Sequence, residues 1–255
     1  MGHSNYVISL IKFVKTKDHA QDFINGNLFC KPWVAFKGME EDKQRGDRLE
    51  IAASKLKTKI YSKKSNRLYS LWLENSDDQY TPIFCMYHVS SRDLKSSLRI
   101  IKLEDERLRE FGDYGVIVKN TSEFINRINQ NLPGFSYGLV DYIDYENLPE
   151  ENQPALKSPI LQKDSHTFGH QKEFRIYNTR YAVTEHKTLD NPIKEIIVPN
   201  QSGATFFNIG AIDDIAETYS TNELFSGVEI KIKTPISKKD ISKEIWWDGK
   251  RYQEV

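Results

Sequence analysis

The stretch Leu161–Tyr177, LQKDSHTFGHQKEFRIY, sets one carboxylate, Glu173, inside a segment that otherwise reads as a strand. Phe174, Ile176 and Tyr177 are the aromatic and β-branched residues that a pleated, half-buried surface accepts. A charged group in that setting is costly when it is desolvated without a partner. Arg175 follows two residues on, which puts it on the same strand face. Two readings stand side by side: an acid positioned rigidly beside a cation for chemistry, or a structural ion pair.

Outward from this segment the chain alternates strand and helix patterns. YVISLIKFV (6–14) suits a strand buried on both faces. KTKDHAQDFINGNLF then reads as a helix capped by Asp18, with Ala20, Phe23 and Ile24 at helical spacing and Gly26 ending it. KTKIYS, RLYSLWLE and TPIFCMYHV read as a three-stranded meander, with KKSN and NSDDQ as turns. GDYGVIVKN is a further strand, and TSEFINRINQNL a helix capped by Thr121 with a stripe of Phe124, Ile128 and Leu132. YGLVDYIDYEN, HQKEFRIYNT, KEIIVPN and GVEIKIKT read as strands, and GAIDDIAETYS as a short helix. The sum is one strand-rich α+β domain over residues 1–255 with two or three helices.

Composition narrows the function classes. A chain of 255 residues with 38% hydrophobic and 12% aromatic residues is too apolar for disorder and long enough for a packed core. Its 36 basic and 36 acidic residues cancel, which argues against a protein coating nucleic acid through a global positive field. Cys30 and Cys85 lie far apart in apolar runs, as small buried hydrophobes do, and a reducing cytoplasm fits them. With no apolar run of membrane-spanning length and no signal-peptide pattern at the start, neither a membrane nor export is expected. His166 and His170 would suit a metal only on a helix, and their segment reads as extended or looped, so no metal is expected. Lys55, Lys57, Lys59, Lys63, Lys64 and Arg67, interleaved with Tyr61 and Tyr69, suit either phosphate contact or protection of an edge strand.

Phe168 together with Gln171 through Phe174, an aromatic followed by Gln, any residue, Glu and an aromatic, resembles the segment bearing the catalytic glutamate of DarT-type nucleic-acid ADP-ribosyltransferases. The plan of a strand, a helix, then GNLFCKPWVAF and RGDRLE is similar to many small bacterial ADP-ribosyltransferase-like proteins. TPIFCMYHV resembles the proline-led aromatic strand that ends in a basic active-site residue. The resemblance spans Tyr6 to Tyr177, with its segments in the right order at loose spacing.

This resemblance implies an ADP-ribosyltransferase-like α+β fold and an NAD-dependent mono-ADP-ribosyltransferase, a bacterial toxin or phage-defence effector with NAD as its substrate. The acceptor would be nucleic acid or protein, and an antitoxin or inhibitor protein a further partner. Glu173 would stabilise the oxocarbenium-like ribose formed as nicotinamide leaves. His88, or Arg92 beside it, would be the basic group at the pyrophosphate. Lys12 and Gln171 would approach the cofactor, Phe29, Trp33 and Phe36 would compete to stack on nicotinamide, and Arg45 would form the cleft lip. The first strand departs from the family by offering Ser9 and Lys12 where a His, Arg or Thr is usual. That departure keeps two alternatives open: a non-catalytic nucleotide- or nucleic-acid-binding protein on the same fold, and a protein-interaction or inhibitor module.

Overall fold

The computed structural model describes residues 6–37, 55–62, 67–74, 80–94, 100–144, 159–178, 184–188, 195–199, 203–231, 233–243, 245–247 and 252–254. For 55–62, 67–74, 184–188, 195–199, 245–247 and 252–254 only the backbone is described. The fold is α+β, built on one nine-stranded sheet. Its strands are β1 (Tyr6–Val14), β2 (Asn27–Pro32), β3 (Pro82–Ser90), β4 (Tyr114–Val118), β5 (Ser136–Leu139), β6 (Glu173–Tyr177), β7 (Thr205–Asn208), β8 (Ala216–Ser220) and β9 (Ile236–Ser237). The main path runs β7-β2-β3-β1-β4-β8, with β6 joining β3 to β5 and β9 pairing with β1, every pair antiparallel.

β1 is buried on both faces from Val7 to Ile11, as its largely apolar sequence predicts. On β4 the alternation decides which layer each residue joins: Val116 and Val118 belong to one apolar cluster and Ile117 to another. The first cluster is covered by the helices α1 (Lys17–Ile24) and α3 (Thr121–Asn131), through Ala20, Phe23, Phe124, Ile125 and Ile128. The second is covered by the short helix α5 (Thr221–Ser226), through Leu224 and Phe225, and by Leu108 of the 3-10 segment Glu106–Phe111. Each of these fully buried aliphatic or aromatic side chains stabilises the fold by about 1.5–3 kcal/mol relative to exposure.

The remaining helices, α2 (Trp33–Lys37) and α4 (Ser165–Phe168), are 5 and 4 residues long. Among the described residues there are thus five helices rather than the expected two or three, because single turns leave no periodic stripe in a sequence. Thr16, not Asp18, caps α1, accepting from the His19 N–H, and Asn120, not Thr121, caps α3, accepting from the Glu123 N–H. Gly26 does end α1: its φ of 86° needs glycine, and a Cβ would lie 2.0 Å from the Gly210 carbonyl oxygen.

Three other expectations change. KTKIYS and RLYSLWLE pair with each other as a separate two-stranded sheet, while TPIFCMYHV leaves the meander to become β3. GAIDDIAETYS is not a helix: its second half is β8, paired residue for residue with β4, and α5 begins only at Thr221. HQKEFRIYNT and GVEIKIKT shorten to Glu173–Tyr177 and Val228–Glu229. No helix among the described residues is long and apolar enough to cross a membrane.

Candidate functional site

The registers along β3 create a gap in the sheet. On one side β6 pairs continuously, from Glu173 opposite Tyr87 to Tyr177 opposite Ile83. On the other, β1 pairs as far as Ile11 opposite Tyr87, and β2 pairs only through Lys31 and Pro32, opposite Ile83 and Pro82. Beside Phe84, Cys85 and Met86 the strands β1 and β2 diverge, β1 toward β4 and β2 toward β7. Lys12 fills part of this fork, donating from Nζ to the Cys85 carbonyl at 2.8 Å and standing 4.1 Å from the centre of the Phe84 ring. A cleft of about 520 Å³ opens there, in the range of small-molecule sites.

Glu173 enters this cleft from the first position of β6. The turn before it is compact: Asp164 caps α4, a 3-10 turn covers Gly169–Gln171, and Lys172 takes a left-handed conformation with φ 40°. This turn brings the buried Lys163 back against Glu173. The Lys163 Nζ donates to Glu173 Oε1 at 2.6 Å and to Gln171 Oε1 at 2.7 Å, and lies 4.5 Å from the centre of the Phe168 ring. Arg175 Nε donates to Glu173 Oε2 at 2.8 Å, and its Nη1 to the Ile160 carbonyl at 2.5 Å. Both carboxylate oxygens are therefore engaged by cations. Burial pushes the Glu173 carboxyl up, but Arg175 and Lys163 together outweigh it and hold the group ionised, well below the usual carboxylate range.

The wall of the cleft is cationic and aromatic. Among the described residues, Lys12, Lys15, Lys31, Lys163 and Arg175 face it against two carboxylates, Asp22 and Glu173. Phe29 and Phe206, 43% and 60% exposed, pair at 5.1 Å between ring centres, and Phe36 also lines the space. Cys85 lies on the wall, but burial pushes its thiol up to about 12, so it remains a thiol at neutral pH.

Of the expected site residues, Glu173, Lys12, Phe29, Phe36 and Gln171 meet in this one cleft. Trp33 does not: it is 1% exposed and packs against Ile83, Ile160, Leu161 and Tyr177. His88 and Arg92 do not either. His88 pairs with Leu10, where the sheet is still closed, and lines a separate cavity of about 500 Å³ together with Arg92, Tyr142, Lys172 and Lys238. Arg45 lies outside the described residues, as do the other side chains of RGDRLE and those of the lysine-rich hairpin. His166 sits on α4 rather than in an extended segment, with Nε2 3.1 Å from Asp144 Oδ1. No group of three potential metal ligands occurs among the described residues.

Lys163 and Phe206 are among the cleft residues that the sequence did not single out, as are Lys15, Asp22 and Lys31. Lys163 lies ten positions before Glu173 in the opening stretch, but a lysine that returns through a tight turn looks no different in sequence from a solvated one. No protein-family model matches the chain, and comparison with curated proteins and with solved structures gives no match.

Proposed function

We propose that the cleft binds NAD and that the protein is an NAD-dependent mono-ADP-ribosyltransferase. The observation that carries this reading is a single buried carboxylate, Glu173, held ionised in a cleft where cations outnumber acids and aromatic faces are exposed. Each feature has a use in that chemistry. The surplus of lysine and arginine suits a pyrophosphate. Phe29, Phe36 and Phe206 offer faces on which a base or nicotinamide ring can stack. As the glycosidic bond breaks, positive charge grows on the ribose, and a fixed anion within reach lowers that barrier. Glu173 is that anion, and Lys163 and Arg175 fix its position. The acceptor would be a nucleic acid or a protein, and the activity that of a bacterial toxin or defence effector.

A second reading is favoured by one detail of the same group. With both Glu173 oxygens already bonded to cations, a ribose hydroxyl must displace or share one of them, so the cleft would also suit a protein that captures a nucleotide without turning it over. The two readings separate in one experiment: nicotinamide release from NAD, with DNA, RNA or cell extract added, beside calorimetric binding of ADP-ribose. Release that Glu173→Gln abolishes while ADP-ribose still binds supports the transferase. Binding without release supports capture, and neither result sinks both readings.

A further inference from the structure

Among the described residues, the walls of the cavity that holds His88 carry a positive charge that they do not themselves neutralise. Arg92, Lys172 and Lys238 line it against Asp93 and Asp141. Asp93 is already committed, accepting from Lys172 Nζ at 2.6 Å and from the Ser90 N–H and hydroxyl at 2.8 Å each. Arg92 and Lys238 make no ion pair among the described residues. Burial holds Lys238 below its ordinary range, Asp93 opposes this, and the charges of Arg92 and Lys172 add to it, so this amine stands among like charges.

A second observation points the same way. His88, 7% exposed, forms part of the wall, and its Nδ1 has no hydrogen-bond partner. A buried polar atom left so is costly, and a phosphate oxygen admitted to the cavity supplies an acceptor of the kind it lacks. The Tyr142 hydroxyl accepts from the Glu173 N–H and keeps its own proton to donate.

We infer that this cavity is a second binding site, separate from the Glu173 cleft, for a phosphate group. Donors reach it from four segments: Arg92 after β3, Tyr142, Lys172 before β6, and Lys238 with Ser242 near the C-terminus. Convergence from several directions suits a tetrahedral oxyanion with three or more free oxygens better than a planar carboxylate. The arginine fork adds a bidentate donor. The excess of one positive charge on the walls is balanced by a single phosphate monoanion or phosphodiester. The two cavities share no lining residue, so a ligand here does not touch the Glu173 carboxylate.

The test is a titration of the full chain with inorganic phosphate, followed by amide NMR, against sodium chloride at matched ionic strength. The expected result is saturable shifts at Ser90, Asp93, Lys172 and Lys238. Arg92→Gln and Lys238→Gln, each with an unchanged melting temperature, should weaken binding roughly tenfold. A nucleoside monophosphate and a short single-stranded oligonucleotide then distinguish the sources: tighter binding of the first marks a small phosphorylated ligand, and of the second a nucleic-acid backbone. Shifts that chloride reproduces, or that both variants leave unchanged, would overturn the proposal. Phosphate binding retained in Glu173→Gln would show that the site stands apart from the fate of the cleft.

Discussion

Two cavities of similar size flank the start of β6, and they solve the problem of a buried titratable group in opposite ways. In the cleft, Glu173 is buried, charged and bonded at both oxygens by Lys163 and Arg175. In the second cavity, His88 is buried, held neutral and has one ring nitrogen without a partner, while two of the cations near it, Arg92 and Lys238, make no ion pair among the described residues. The first site matches the charge of Glu173 with its own side chains, Lys163 and Arg175. The second has an imbalance that a ligand would complete. An acid fixed by cations is prepared to stabilise charge that develops during a reaction, whereas an unmatched cationic wall is prepared to bind charge that is already formed.

The largest effect is expected from Glu173→Gln. If Glu173 stabilises the ribose cation, nicotinamide release should fall by about 10²-fold or more. The same change leaves Lys163 and Arg175 buried without their anion, which costs about 3–5 kcal/mol of stability. A loss of activity therefore has to be judged against folded protein, by denaturant titration and retained ADP-ribose binding. An unchanged stability would break the comparison, because it would mean that the ion cluster is solvated rather than buried.

Acid should separate the two cavities. Burial, aided by Lys238, lowers the His88 pKa from 6.5 to about 4. The unfolded chain then binds the proton first, so the stability tied to a neutral His88 is complete above pH 6.5 and is lost as pH falls toward 4, by roughly 3 kcal/mol. Glu173 is depressed, so its contribution is present above its ordinary value of 4.5 and declines only below that. Urea titrations from pH 7 to 4 should show the first loss, and His88→Leu should flatten it. An equally steep profile in that variant would assign the acid sensitivity elsewhere.

Phe29→Ala tests the mouth of the cleft. The ring is partly exposed and touches Phe206, so stability should change by about 0.5 kcal/mol or less. ADP-ribose affinity should fall about tenfold if a base stacks there. Unchanged affinity would move the ring-binding part of the cleft inward, toward Phe36.

What the sequence made legible follows from range. Local patterns located β1, α1, β4, α3 and the Glu173–Arg175 pair, since alternation and helical spacing act over a few residues. Pairing between distant segments was not legible. The divergence of β1 and β2 along β3 decides that Lys12 faces the cleft and His88 does not, and nothing within TPIFCMYHV encodes that fork. Lys163 was missed for the same reason: its role depends on a left-handed residue at Lys172 that returns the chain on itself. GAIDDIAETYS reads locally as a helix because the strand partner of AETYS lies about a hundred positions earlier.

Lys172 joins the two regions, and its replacement is expected to have a small net effect on stability. Its backbone carbonyl accepts the His88 N–H at 2.8 Å, its side chain meets Asp93, and the next residue is Glu173. A non-glycine residue at φ 40° costs roughly 1–2 kcal/mol relative to a relaxed backbone. Lys172→Gly relieves that strain but gives up a half-exposed ion pair worth about 0–1 kcal/mol and gains entropy in the unfolded chain. The net change should lie within about 1 kcal/mol of zero. Ligands then distinguish the cavities: the variant should bind phosphate more weakly, while nicotinamide release keeps its wild-type rate, because Lys172 lines only the second site. A parallel loss of release would mean that Lys172 also sets the position of Glu173, and that the two cavities respond as one unit across β6.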